Sequence, residues 1–203
     1  MADIKPTRSE LMKLKKKIKL AQSGYNLLKK KRDGLILEFF EIMKKAKTAR
    51  QELVEEYRNA LEKLNVARVI ESDLKLKSLA LAIRNNPQVQ VESKNIMGVV
   101  VPKIESQHVQ SSWKDRGYGF LDTSATVDEA VQVYEGVVEK IMKVAEVETS
   151  LKKLLQEIEK TKRRVNALEF SVIPKMKQEE RFIKFRLEEM ERENVFRLKR
   201  IKG

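Results

Sequence analysis

The sequence predicts an all-α protein built on a long antiparallel two-helix coiled coil, with a small β-hairpin in the connector between the helices. Apolar residues recur at alternating steps of three and four over long segments near both ends of the 203-residue chain. This spacing is typical of a coiled-coil seam. Charged residues make up 36% of the chain and hydrophobic residues only 41%, which suits long helices that bury a narrow seam instead of a thick core.

The first seam runs from Leu11 to Leu53, and Arg32 is its only polar position. Its members are Leu11, Leu14, Ile18, Ala21, Tyr25, Leu28, Arg32, Leu35, Phe39, Ile42, Ala46, Ala49 and Leu53. We expect Arg32 either to set the register of the two helices or to contact a neighbouring protein. Beyond Leu53, we expect the seam to continue through Tyr57, Leu61 and Leu64.

Capping residues predict the ends of the first helix. Thr7 and Glu10 have the spacing of a capping box, so the helix should begin near residue 7. It should run to residue 84, because the following Asn-Asn-Pro sequence favours a stop. Gly24 lies inside the pattern, and both simple tolerance and close approach of a neighbouring backbone would explain it.

The pattern after residue 87 predicts two short strands around a loop. Residues 88–92 alternate between polar and apolar, and 99–101 form a second apolar run. We expect Pro102 to end the second strand early or to place it at an edge. Residues 106–122, which contain the only Trp and the only His, predict an irregular connector.

A second long helix is expected from residue 123 to the end of the chain. Its first seam includes Val127, Ala130, Tyr134, Val137, Ile141, Val144, Leu151, Leu155 and Ile158. The apolar line then shifts by one position on the helix and continues through Leu154, Thr161, Val165, Leu168 and Val172. Because the helical pattern resumes after Pro174, this proline predicts a kink and not an end.

The matched lengths of the two helices predict the architecture. Each would be about 115 Å long at ~1.5 Å per residue, and neither would be stable alone in water. We therefore expect residues 1–84 and 123–203 to pair antiparallel, with 85–122 as connector, in one elongated domain.

The net charge of +13 is unevenly distributed. Residues 1–50 carry a net charge of +10, residues 51–159 of −4 and residues 160–203 of +7. Antiparallel pairing would bring the two basic segments together at one end. Solvated helix faces are the ordinary explanation of such runs, while a nucleic acid or an acidic protein collar would be attracted to this end.

No residue pattern predicts catalysis, a cofactor or a metal site. The chain has no cysteine, one histidine (His108) and no glycine-rich phosphate loop. No apolar run approaches the roughly 18 residues that would span a bilayer, and the N-terminus lacks the layout of a secretory signal. These features predict a cytoplasmic protein that is not an enzyme by itself.

Several blocks of the sequence resemble the D subunit of the archaeal-type and vacuolar-type rotary ATPases. They are PTRSELMKLKKKIKLAQSGYNLLKKKRDGL, IMGVVVPKIE, GYGFLDTSATVDEA and the closing KRRVNALEFSVIPKMKQEERFIKFRLEEMERENVFRLKRIK. The resemblance covers nearly the whole chain, and the RVNALE block and the ERENVFRLKRIK ending are its most specific parts.

This resemblance implies a central rotor shaft that transmits torque between a catalytic headpiece and an ion-translocating membrane ring. The implied partners are the A and B subunits of the headpiece, the small F subunit of the stalk and the C/d-type adaptor of the ring, with no nucleic acid. The implied location is the cytoplasmic side of the cell membrane. Without the resemblance, a coiled-coil scaffold or tether and a basic nucleic-acid-binding coiled coil would be the alternatives.

Two sets of contact residues are expected from this reading. A basic end suits a collar with acidic loops, and we expect headpiece contacts from Arg163, Arg164, Asn166, Glu169, Lys175, Arg181 and Arg192. We expect the hairpin to lie at the stalk end and to contact the F subunit or to tune activity. Its candidate contacts are Val89, Val91, Val99 and Val101.

Overall fold

The computed structural model describes residues 6–82, 88–107, 109, 118 and 123–202. In these residues it contains α1 (Arg8–Ile70), α2 (Asp73–Ala82), β1 (Gln88–Ile96), β2 (Val99–Gln107), α3 (Ala125–Ala167) and α4 (Ile173–Lys202). A π-helical turn, Leu168–Val172, joins α3 to α4. The predicted fold, with a long helix towards each end and an antiparallel hairpin between them, is confirmed. Across the described ranges, no helix is long and apolar enough to cross a membrane.

The chain divides into two compact units. The first comprises Met1–Ile36 and Glu157–Gly203, and the second comprises Leu37–Gln156. The boundaries between them fall inside α1 and α3.

In the first unit, the start of α1 pairs antiparallel with the end of the chain. Arg8 forms an ion pair of 2.6 Å with Glu191, and Lys31 lies 3.7 Å from Glu157. As α1 advances, its partners therefore come from earlier positions. The buried side chains between the segments are Ile18, Leu35, Thr161, Val165 and Ile183.

In the second unit, the rest of α1 pairs antiparallel with most of α3. Lys63 bonds to Glu129 at 2.9 Å, and Lys140 bonds to Glu56 and lies 3.9 Å from Glu52. These ion pairs lie beside a core of small and branched side chains. The core residues on the two helices are Ala60, Ala67, Val127, Ala130, Val137, Val144 and Leu154.

The seam of α1 beyond Leu53 differs from the expected one. Ala60 and Ala67 are fully buried, whereas Tyr57 is 48% exposed and Leu61 is 37% exposed. Alanine carries little apolar surface, so a pattern based on large side chains passes over it. A methyl group suffices here because the opposing helix packs closely against it. The prediction that Tyr57 and Leu61 continue the seam is therefore wrong.

The first helix is interrupted where we expected it to continue to residue 84. α1 ends at Ile70 and α2 starts at Asp73. Ser72 caps α2, because its Oγ accepts a hydrogen bond from the amide of Lys75 at 3.3 Å. The break lets the leucines of α2 reach the core of the second unit, where Leu76 and Leu79 pack against Ala67, Val127 and Ala130.

A two-residue turn closes the hairpin. Met97 and Gly98 have φ values of 49° and 86°, the positive pair that a type I′ turn requires. The side chain of Asn95 supports the turn by accepting the amide of Gly98 at 2.8 Å. Strand pairing starts directly beside the turn, so the loop is shorter than we expected.

The second strand passes through Pro102 and ends at Gln107, so Pro102 does not end it early. Pro102 pairs with Ser93 across the ladder. Two residues further on, the amide of Ile104 points away from β1 and donates to Glu146 of α3 at 3.2 Å. Pro102 has the same orientation in the strand, so its missing N–H removes no bond to β1. The connector residues His108 and Trp113 lie outside the described residues.

Replacing Gly24 with alanine should stabilise the protein. A Cβ built at Gly24 meets nothing within 4 Å, so close backbone approach does not explain this glycine. We expect Gly24→Ala to raise the free energy of unfolding by about 1 kcal/mol, the difference in helix propensity, in urea denaturation. The control Gly98→Ala should lower it, because Gly98 has a φ of 86°. Destabilisation by Gly24→Ala would contradict this assignment.

The bond between Lys140 and Glu56 predicts a pH dependence of stability. The hydrogen bond from Lys140 to Glu56 raises the pKa of Lys140 above the ordinary value of 10.5. Its stabilising effect is therefore complete below pH 10.5 and is lost as the pH rises through the raised pKa.

We expect Lys140→Met to unfold at a lower temperature than the unchanged chain at about pH 7, where lysine is charged. This difference should shrink above the ordinary lysine pKa of 10.5, as measured by thermal unfolding followed by circular dichroism. Lys143→Met is the control, because Lys143 pairs with Glu139 on its own helix. Equal destabilisation by both variants at all pH values would contradict a special role of the bond between helices.

Candidate partner-binding surfaces

The two units differ sharply in charge. Residues 1–36 and 157–203 contain 25 lysines and arginines and 12 acidic residues. Residues 37–156 contain 18 basic and 18 acidic residues. The whole net charge of +13 is therefore carried by the first unit, and the second unit is neutral.

In the first unit, α4 has a buried side and an aromatic outer side. Its buried side includes positions at steps of three and four that are buried or half-buried, namely Ile173, Met176, Glu180, Ile183 and Leu187. The outer face of α4, as we call it, comprises Phe182, Phe185, Arg192 and Phe196, all exposed. Its three phenylalanines are 51%, 58% and 69% exposed. Such apolar exposure at helical spacing indicates a surface for another protein.

Cations accompany these aromatic rings. The guanidinium of Arg186 lies 5.9 Å from the centre of the Phe182 ring, a cation–π distance. In the described ranges, no carboxylate lies within ion-pair distance of Arg181 or Arg192. A partner with carboxylates beside an apolar surface would complement this face.

The seven expected headpiece contacts are all exposed or half-buried and all belong to the first unit. Arg163, Arg164 and Asn166 lie near the end of α3, Glu169 lies in the π turn, and the others lie on α4. Arg163 is 3.9 Å from Glu159 of its own helix, with its side chain 84% exposed. The structure spreads these residues along one segment and does not gather them into a pocket.

The hairpin separates the four expected valine contacts. Val89 and Val91 are 48% and 66% exposed, whereas Val99 and Val101 are 8% and 2% exposed. The strand register places the two pairs on opposite faces of the hairpin. Only Val89 and Val91 of these four are accessible to a partner.

A second apolar surface lies on the second unit. Val54, Tyr57 and Leu61 of α1 are exposed at steps of three and four, and Ile141 of α3 is 46% exposed. The half-buried Tyr134 borders this surface beside Tyr57. Burial raises the pKa of Tyr134, and the nearby phenol of Tyr57 adds to that effect. We call these five residues the lateral face.

The π turn interrupts the regular α-helix between α3 and α4. The amide of Ile173 donates to the carbonyl of Leu168, one residue further back than in an α-helix. Pro174 follows immediately, and α4 continues to Lys202. The helix thus resumes after Pro174 as expected, and the irregularity at this position is the widened turn.

Sequence reasoning missed the exposed aromatic residues as candidates for contact. The buried Ile183 lies on a different side of α4 from Phe182, Phe185 and Phe196. Their spacing in the sequence already indicates this difference. The spacing of Tyr57, Leu61 and Leu64 predicts a continuing seam, but the buried positions are the small residues Ala60 and Ala67. Arg32 bonds to Asp33 of its own helix at 2.8 Å, so no described bond supports its expected role in the register.

Paired long helices with exposed aromatic and cationic faces define a coiled-coil protein that acts through surface contacts. A family model for the D subunit of ATP synthase matches residues 10–203. The D subunit of the A-type ATP synthase of Methanococcoides burtonii is 60% identical over 200 residues, covering 98% of this chain and 97% of the relative. The protein of the same name from Methanoregula boonei is 55% identical over 203 residues, covering 100% and 97%.

A more distant relative, from Haloarcula marismortui, is 48% identical over 201 residues, covering 99% of this chain and 87% of the relative. The chain therefore belongs to the family of ATP synthase D subunits. It is a central-stalk subunit of the A-type rotary ATP synthase and works together with other subunits of that enzyme complex. The family resemblance seen in the sequence is confirmed.

Proposed function

We propose that this chain is the torque-bearing rotor shaft of the synthase and has no catalytic site of its own. The observation that carries this proposal is the division of the chain into a strongly basic, aromatic unit and a neutral unit with apolar surfaces. Each unit packs two helix segments together, which suits a stiff element that transmits force. The chemistry of ATP then belongs to other subunits.

The first unit is the part that enters the headpiece formed by the A and B subunits. Its excess of positive charge favours a ring with acidic inner loops, and charge complementarity orients partners more than it tightens their binding. The outer face of α4 supplies apolar contact area within this ring. The seven expected residues, Arg163, Arg164, Asn166, Glu169, Lys175, Arg181 and Arg192, supply polar contacts.

The second unit is the part that binds the small F subunit of the stalk and faces the C/d-type adaptor of the membrane ring. Its neutral charge and exposed lateral face suit partners held by apolar burial. The exposed Val89 and Val91 of the hairpin extend these contacts. The chain thereby lies on the cytoplasmic side of the membrane and is attached to it through the complex.

Charge reversal in the first unit should uncouple ATP hydrolysis from ion pumping. We expect the quadruple variant Arg163→Glu, Lys175→Glu, Arg181→Glu and Arg192→Glu to lower the number of ions pumped per ATP hydrolysed in reconstituted vesicles. The reason is that several attractive contacts with an acidic ring become repulsive.

The matched control reverses four exposed cations of the second unit outside the hairpin, Lys45→Glu, Lys77→Glu, Lys152→Glu and Lys153→Glu. These residues have no carboxylate within ion-pair distance in the described part of the chain. The control should keep normal coupling. Unchanged coupling in the quadruple variant would refute the headpiece assignment of the first unit.

Removal of the hairpin should separate the two sets of partners. Replacing residues 88–107 by a short glycine–serine linker should leave binding to the headpiece ring intact, because the hairpin belongs to the second unit. Binding of the F subunit should weaken in the same pull-down. Loss of headpiece binding would show that the hairpin had been assigned to the wrong partner.

A further inference from the structure

The buried side of α3 and α4 makes one unusual step. Four positions on this side are buried or half-buried. Val165 and Leu168 come before the exposed residues of the π turn, and Ile173 and Met176 come after them. Steps along a coiled-coil seam are three or four residues, but the step from Leu168 to Ile173 is five. The amide of Ile173 donates to the carbonyl of Leu168 across this step. The π turn therefore adds one residue to the helix while the buried side stays in phase.

Pro174 is the residue that this widened turn accommodates. Proline has no amide N–H, and in a regular α-helix its ring would clash with the carbonyl four residues earlier, that of Phe170. Packing around the turn is sparse, because Glu169, Phe170 and Ser171 are exposed, and Val172, which the sequence predicts in the seam, is 37% exposed. We expect a regular helix without the extra residue and without Pro174 to bury the same side chains, because its step between Leu168 and Ile173 would be four.

The turn exposes an aromatic ring. Phe170 is 75% exposed, more than any other described phenylalanine. Arg164 and Lys175 flank the turn in sequence, and neither has a carboxylate within ion-pair distance in the described ranges. π turns occur frequently at functional sites, and an exposed ring on a segment with an unpaired cation before it and another after it in sequence fits a protein surface that carries carboxylates.

We propose that the π turn is a contact site that inserts Phe170 into an apolar pocket of the headpiece ring, with carboxylates at the pocket's edge. This inference rests on the proposed function, which places the first unit inside the ring. Charge complementarity supports this occupant, because the first unit carries the whole net charge of +13. Family membership favours a protein ring over a nucleic acid as the anionic partner.

Two variants of the full chain test the inference. The first, a deletion of Ser171 combined with Pro174→Ala, restores a four-residue step between Leu168 and Ile173 and makes the helix regular. We expect its melting temperature to equal or exceed that of the unchanged chain. Its affinity for a ring of A and B subunits, titrated by fluorescence anisotropy, should fall about tenfold, the scale of losing a central aromatic contact.

The second variant, Phe170→Ala, keeps the π turn and removes only the ring. It should show a similar loss of affinity with an unchanged melting temperature. Gln178→Ala changes an exposed residue outside the turn and outside the seven expected contacts, so it should bind like the unchanged chain. As a length control, deletion of Lys177 with Pro174 and the π turn retained shifts Ile183 and Leu187 away from the seam and should lower the melting temperature.

Each outcome decides a separate statement. If the regular helix and Phe170→Ala both bind the ring like the unchanged chain, the π turn is not a contact site, although the proposed function stands. If the regular helix melts as low as the Lys177 deletion, packing requires the extra residue and the inference is wrong. If the unchanged chain does not bind the ring, the proposed function itself fails.

Discussion

A narrow line of buried side chains between two antiparallel helix segments is the constraint on which each unit depends. In the first unit, Leu35 and Ile183 have almost no exposed surface, while most neighbouring positions on the same helices are open to solvent. Helices of this composition are unstable alone, so burial along the line must hold each pair together. Every residue outside the line is then available for charge, capping or contact with other subunits.

The helical content and the pairing of the chain's two ends followed from the spacing of large apolar residues. The same reasoning failed where small or local groups decide the structure. Ala60 and Ala67 define the core of the second unit with one methyl group each, and Ser72 caps the helix that follows α1 through a single side-chain bond. At Ser72 the chain can either continue α1 or start a new capped helix. The new helix is favoured because its leucines pack against Ala67 and Val127.

The candidate surfaces were predictable in charge but not in shape. The basic character of the chain's ends was visible in the sequence, and none of the seven expected contact residues is buried. The hairpin valines separated into accessible and buried pairs only through the strand register. Pro102 was tolerated because its ring nitrogen faces the outer edge of the hairpin, on the same side as an amide that bonds to Glu146. Neither fact is encoded in residue spacing alone.

The confinement of the net charge to the first unit also has a consequence for the assembled enzyme in different salt concentrations. Added electrolyte screens interactions between exposed charges, with a Debye length of about 8 Å at physiological ionic strength and about 3 Å at about 1 M. Contacts made by the neutral second unit involve apolar surface, which salt does not weaken in this way. High salt should thus weaken the contacts proposed for the first unit before those proposed for the second.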